Sequence, residues 1–104
     1  MSSIKLQSEY DDLDKYEYDN VNIYYYKKGT YRKHNPYGTA VVSKNGHKEY
    51  WINDKCHRLD GPAIIYSDGY EEYYINDKEL TKEEFEVHPE RLKFLGKEHL
   101  ICLG

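Results

Sequence analysis

Aromatic and aliphatic positions fall in short runs separated by turn residues, and the runs recur. Tyr50-Trp51-Ile52-Asn53-Asp54-Lys55 returns 23 residues later as Tyr73-Tyr74-Ile75-Asn76-Asp77-Lys78. The same offset carries His34 to His57, Gly38-Thr39-Ala40 to Gly61-Pro62-Ala63, and Asn45-Gly46 to Asp68-Gly69. Upstream, Tyr24-Tyr25-Tyr26-Lys27-Lys28-Gly29 resembles the opening of an earlier copy with an insertion of about two or three residues before His34.

Asn-Gly and Asp-Gly tolerate positive φ and suit two-residue hairpin turns, so each unit predicts a β-hairpin. With Asn45-Gly46 as a two-residue loop, Val41 should face Tyr50 and Ala40 should face Trp51. With Asp68-Gly69 as the second, Ile64 should face Tyr73 and Ala63 should face Tyr74. The Asn53-Asp54 and Asn76-Asp77 pairs also suit tight turns, so successive strands should continue as an antiparallel meander without helical crossovers. After Leu80 the repeat stops. Thr81-Lys82-Glu83-Glu84 has capping-box form and predicts a short helix, and Pro89 is placed to start a second one carrying Leu92 and Leu95, closed by Gly96. A terminal helical unit of this kind caps a short repeat array. The expected fold is therefore mainly β, a meander of repeated hairpins over 21–80 with a helical cap and tail over 81–104. Residues 1–20, acidic and rich in Tyr, have no sustained period and fit a mobile arm, an edge strand or a short helix. The apolar run Leu100-Ile101-Cys102-Leu103 is either tucked into the core or offered to a partner, and aggregation of exposed apolar strands favours tucking.

A chain of 104 residues makes one domain with a thin core and little room for a deep catalytic pocket. All thirteen tyrosines lie between Tyr10 and Tyr74 and dominate the apolar area, which suits half-exposed strand faces and contact surfaces alike. Charge is localised. Residues 1–20 hold six acids against Lys5 and Lys15, which accounts for the whole net charge of -4, and this balance disfavours general binding to nucleic-acid phosphates. There is no signal-peptide core after Met1 and no run of membrane-spanning length, and with only Cys56 and Cys102 the reading is a reduced cytosol, cytoplasmic in the host cell if phage-encoded.

At His57-Arg58-Leu59-Asp60-Gly61-Pro62-Ala63, followed by Asp68-Gly69 and Tyr73-Tyr74-Ile75-Asn76, the sequence resembles the degenerate MORN-like repeat proteins of bacteriophages and large viruses. The match covers about residues 37–95. The resemblance implies a β-hairpin array, often ended by a helix resembling Leu80-Thr81-Lys82-Glu83-Glu84-Phe85, and a phage origin, but no shared chemistry. Asp54 and Asp77 depart from it by replacing the usual Gly of the Asn-Gly turn, and the first copy reads His34-Asn35-Pro36-Tyr37-Gly38-Thr39-Ala40.

Four constellations could carry function. Cys56, His57 and Asp60 are the residue types of a nucleophile, a base and an orienting acid, yet neighbours on a strand point to opposite faces, and bracing of the turn by His57, Arg58 and Asp60 explains them better. The five histidines and two cysteines show no metal-ligand spacing, and the glycines sit at turn positions, so neither metal, cofactor nor enzyme activity is expected. Lys27, Lys28, Arg32 and Lys33 lie among Tyr24, Tyr25, Tyr26 and Tyr31, a pattern that stacks and neutralises single-stranded nucleic acid, or else a solvated loop. Asp11, Asp12 and Asp14, interleaved with tyrosines, could dock into a basic groove of a target or be solvated tail. The preferred expectation is a non-enzymatic module that binds a host or viral protein, inhibiting or redirecting it. Tyr24, Tyr26, Tyr31, Trp51, Tyr70 and Tyr74 would be its anchors, with Asp11, Asp12 and Asp14 adding charge. Self-association is left open.

Overall fold

Strand-forming runs and turn residues alternate so closely that each strand meets its sequence neighbour before any crossover can form. The computed structural model describes residues 2–97 and residue 99, and the run from Leu100 to Leu103 lies outside them. The chain is mainly β. Its strands are β1 (Ser3–Leu6), β2 (Leu13–Tyr18), β3 (Asn22–Lys27), β4 (Val41–Ser43), β5 (Lys48–Glu49), β6 (Trp51–Ile52), β7 (Lys55–Cys56), β8 (Ile64–Ile65), β9 (Glu71–Ile75) and β10 (Lys78–Leu80). Helices α1 (Lys82–Glu86) and α2 (Pro89–Phe94) follow. All pairs are antiparallel, and the order β1-β2-β3-β4-β5-β8-β9-β10 is a meander that sets β6 and β7 aside as a two-stranded ribbon. Residues 1–20 supply the first two strands of this order, with β1 at one edge and β10 at the other.

The hairpin loops differ from expectation by one residue. Ser43 N–H donates to the His47 carbonyl at 2.9 Å and Gly46 N–H to the Ser43 carbonyl at 3.1 Å, so the loop is Lys44-Asn45-Gly46, with Gly46 alone at positive φ (97°). Ser67-Asp68-Gly69 repeats this, with Gly69 at 92°. The side chains of Asn45 and Asp68 each accept the N–H two residues ahead, at 3.1 and 2.9 Å, which holds a three-residue loop with glycine in the left-handed position. In consequence Val41 pairs with Glu49, not Tyr50, and Ile64 with Glu72, not Tyr73. Ala40 and Ala63 donate to the carbonyls of Glu49 and Glu72, both at 2.9 Å, so two residues on one strand oppose one on the other, and neither alanine faces an aromatic partner as expected. Both alanines are 0% exposed. The true two-residue turns are Asn53-Asp54 and Asn76-Asp77, in which both residues have positive φ.

These turns join the units. Asp54 N–H donates to the Lys33 carbonyl at 2.8 Å, and Asp77 N–H to the Cys56 carbonyl at 2.8 Å. The carboxylates return the bond, accepting from Lys33 N–H and Cys56 N–H, both at 3.2 Å. Asn53 N–H reaches His34 Nδ1 and Asn76 N–H reaches His57 Nδ1, each at 2.9 Å. Each turn thus docks on the unit before it through three bonds of identical kind. The first copy differs by an insertion of two residues, since Tyr26 bridges Lys33 whereas Trp51 pairs with Cys56.

The helices close the array. Thr81 caps α1 with the reciprocal Glu84 bond, and His88 caps α2 ahead of Pro89. Phe85 and Leu92 are buried, and the Glu90 carboxylate takes the Asn76 side-chain amide where a further unit would lie. The molecule measures 52 × 31 × 18 Å. Among the described residues Val41 is the largest fully buried side chain, which is how thin the core is.

Candidate aromatic face

Tyr24, Val41, Glu49, Ile64 and Glu72 are successive cross-strand partners, so the face they share runs across the meander. Alternation puts Tyr16, Tyr18 and Tyr26 on it, along with Trp51 and Tyr74. At the N-terminal end the rings form a contiguous cluster: Tyr18 to Tyr24 at 5.0 Å, Tyr26 to Tyr31 at 5.5 Å, Tyr16 to Tyr26 at 5.6 Å and Tyr16 to Tyr31 at 5.9 Å between centroids. These offset and edge-on spacings are the favourable ones for aromatic pairs. Tyr26 lies at the bottom of the cluster, buried, its hydroxyl bonded to that of Tyr18 at 2.9 Å, and burial pushes its pKa up. It is therefore no exposed anchor. Tyr31 covers it and is 73% exposed.

Toward the C-terminal end the face becomes mixed. Glu49 accepts from Trp51 Nε1 and engages His47 Nε2, both at 2.7 Å, and Glu72 accepts from the Tyr66 hydroxyl at 2.7 Å. That bond, with burial and the Glu72 charge behind it, raises the Tyr66 pKa to about 12. The Lys33 ammonium sits 3.5 Å from the Trp51 ring centroid. Tyr66 stacks obliquely between His47 and Tyr70, and Tyr70 is 62% exposed.

The opposite face is covered. Tyr25, Tyr50 and Tyr73 occupy equivalent places, and each has a different lid: Tyr10 at 5.9 Å, the Arg58 guanidinium at 4.0 Å and Phe85 at 4.7 Å. On the aromatic face Tyr31 over Tyr26 and Lys33 over Trp51 do the same, and the rings that stay open there are Tyr31 and Tyr70.

The two charged groups singled out in the sequence meet at one corner. Asp12 O accepts from Lys28 N–H, Asp11 O from Lys28 Nζ at 3.1 Å, and the Asp14 carboxylate from Gly29 N–H at 2.9 Å. Asp12 also accepts from the Tyr37 hydroxyl, and Asp14 lies 3.6 Å from Lys5. Lys27 reaches Asn53 Oδ1 at 3.4 Å, Arg32 is exposed, and Lys33 is committed to Trp51. The acidic stretch is a paired strand with its entry loop, not a projecting arm, and it offsets the basic loop.

Cys56, His57 and Asp60 are engaged separately. Cys56 is buried and its thiol is pushed up to about 12, the reverse of an activated nucleophile. Asp60 holds Arg58 Nε at 2.8 Å while Arg58 Nη1 donates to the Pro62 carbonyl at 3.1 Å. Asn35, at the equivalent place one unit earlier, makes the same four-residue reach to the Thr39 carbonyl at 2.8 Å. Among the described residues no group of three or more His, Cys, Asp or Glu is placed to hold a metal ion, and no helix is long and apolar enough to cross a membrane.

Sequence reasoning missed Glu49, Tyr66 and Glu72 on this face. Glu72 lies two residues from both Tyr70 and Tyr74, so strand alternation was the available signal, whereas Tyr66 needed the loop length. Compared with protein-family models, curated proteins and solved structures, the chain matches none.

Proposed function

We propose that this protein is a binding module for another protein, acting through the aromatic face of its meander that presents Tyr31 and Tyr70. The observation that carries the reading is the exposure of two rings on that face, Tyr31 at 73% and Tyr70 at 62%, the first of them standing on a contiguous aromatic cluster. Exposed aromatic anchors with polar surroundings concentrate binding energy, often 2 kcal/mol or more per anchor. The MORN-like pattern makes the setting a phage-encoded protein in the host cytoplasm that occludes a host protein, and so inhibits or redirects it.

The test is affinity capture from host extract with the intact chain, beside Tyr31→Ala/Tyr70→Ala. Both rings are exposed, so the variant should keep its fold and lose the captured protein. Recovery of the same proteins in equal amount by the folded variant would overturn the reading. Single-stranded nucleic acid at Lys27, Lys28, Arg32 and Lys33 is the second reading, supported by exposed Tyr31 within that loop. The acids packed against the loop weaken its field. Salt-dependent single-strand binding abolished by charge reversal at those four residues would restore it.

A further inference from the structure

β9 is longer than the strand that covers it. Its residues Tyr73, Tyr74 and Ile75 pair with Leu80, Glu79 and Lys78, after which Thr81 turns the chain into α1. Among the described residues Glu71 and Glu72 pair with β8 on their other side only. Antiparallel backbone groups alternate in direction, and the Glu72 carbonyl accepts from Ala63 on the β8 side, so the Glu71 N–H and C=O point outward into the gap. An edge of this kind accepts an added extended strand.

The gap opens into a cleft of about 700 Å³ lined by Tyr70, Glu71, Glu72, Glu79, Glu84 and Lys82, among others. Four carboxylates therefore face one ammonium. Glu84 is engaged in capping α1 and Glu72 accepts one bond from Tyr66, which leaves Glu71 and Glu79, and a second oxygen of Glu72, for a visitor.

Comparison of the two units supplies the missing charge. In the first, Lys33 places its ammonium over the Trp51 ring. In the second, Cys56 stands at the place of Lys33 and Tyr74 at that of Trp51, while Glu79 is the cross-strand partner of Tyr74 and Glu72 its neighbour on the same face. The second unit keeps the ring and, as Glu72, the acid of Glu49, and adds Glu79 where the first has Cys56, but among the described residues no cation of its own lies over that ring.

From this we infer that the notch beside β9 receives an extended, Lys- or Arg-bearing segment of a protein partner. Its backbone runs along Tyr70–Glu72, and its cationic side chain lies between Glu72 and Glu79 near Tyr74. This rests on the interaction reading and names the chemistry of the partner.

The probe is a fluorescein-labelled peptide of alternating Lys and Thr, measured by anisotropy against the full chain, with its Glu-for-Lys counterpart and spermine as competitors. The Lys peptide should bind, shift the amide resonances of Tyr70–Glu72, and weaken about tenfold in Glu72→Gln/Glu79→Gln, a change that keeps shape and removes charge. Glu83→Gln/Glu86→Gln, equal in charge change and on exposed α1 positions, should bind as the parent does. No binding, equal weakening in both variants, or displacement by spermine without shifts at Tyr70–Glu72 would overturn the inference. If host capture through Tyr31 and Tyr70 persists while the peptide fails, this inference falls and the interaction reading stands. Loss of both defeats both.

Discussion

The two units that begin at Lys33 and Cys56 share a backbone plan and differ in what they show to solvent. Both dock the following turn through a carbonyl, a carboxylate and a histidine Nδ1 at matching distances. Yet the first braces its loop with Asn35 where the second uses Arg58, and it carries Lys33 where the second carries buried Cys56. Groups that satisfy backbone polarity repeat because each unsatisfied buried N–H costs free energy. Side chains outside the turn contacts are released from that requirement, and the units diverge there on both faces, at Arg58 on one and at Lys33 on the other.

The largest expected effect comes from the lids of the equivalent tyrosines. Phe85 is 2% exposed, with Tyr73 on one side and Arg91 stacked on the other at 4.8 Å. Phe85→Ala should lower stability by about 3 kcal/mol through lost burial and the cavity left behind. Arg58→Met, which keeps a stem over Tyr50 but drops two hydrogen bonds, should cost about 1 kcal/mol. Urea unfolding at constant m-value measures both. Equal losses would mean that the helical cap is no more structural than a loop arginine.

A middle effect belongs to the histidine acceptors. His57→Ala leaves the Asn76 N–H without its partner and should cost about 1–2 kcal/mol at pH 8. Burial lowers the pKa of His34 and of His57 from 6.5; Lys27 adds to the lowering for His34 and His88 for His57, while Asp12 and Glu90 oppose it. A group depressed in the fold binds its proton more readily in the unfolded chain, so stability is complete above pH 6.5 and falls as pH drops below it. His34→Ala/His57→Ala should flatten that acid-side fall in a series of melts between pH 8 and 5. An unchanged slope would place the titration on other groups.

Much of the fold is legible in the chain because the repeat supplies the same evidence twice. The meander, the capping box at Thr81 and the helix start at Pro89 follow from turn and cap chemistry that is local. The register is not, because Asn-Gly serves two loops equally well. In a type I′ two-residue turn both residues need positive φ, whereas here glycine alone does, and the preceding Asn or Asp uses its side chain to hold a third residue. A slip of one residue exchanges faces. It moves Tyr50 beneath Arg58 and sets Glu49 and Glu72 opposite Val41 and Ile64, so the cross-strand partners were hidden in the sequence although the acids sharing a face with Trp51 and Tyr74 were open to alternation.

The smallest effect is the sharpest comparison, because Gly38 and Gly61 occupy the same place in successive units. A Cβ on Gly61 would meet Arg58 Cζ at 2.9 Å, and that guanidinium is pinned by Asp60, the Pro62 carbonyl and the Tyr50 ring. A Cβ on Gly38 meets nothing within 4 Å. Neither glycine has positive φ, so alanine is conformationally acceptable at both and restricts the unfolded chain equally. Gly38→Ala should then be neutral or stabilising by about 0.5 kcal/mol. Gly61→Ala should be destabilising by about 1 kcal/mol as the arginine gives up its bonds. In an Arg58→Met background the two alanines should converge, since the pinned guanidinium is the only asymmetry invoked. Persistence of the Gly61 penalty in that background would locate the difference in the backbone and remove Arg58 as the brace that distinguishes the second unit from the first.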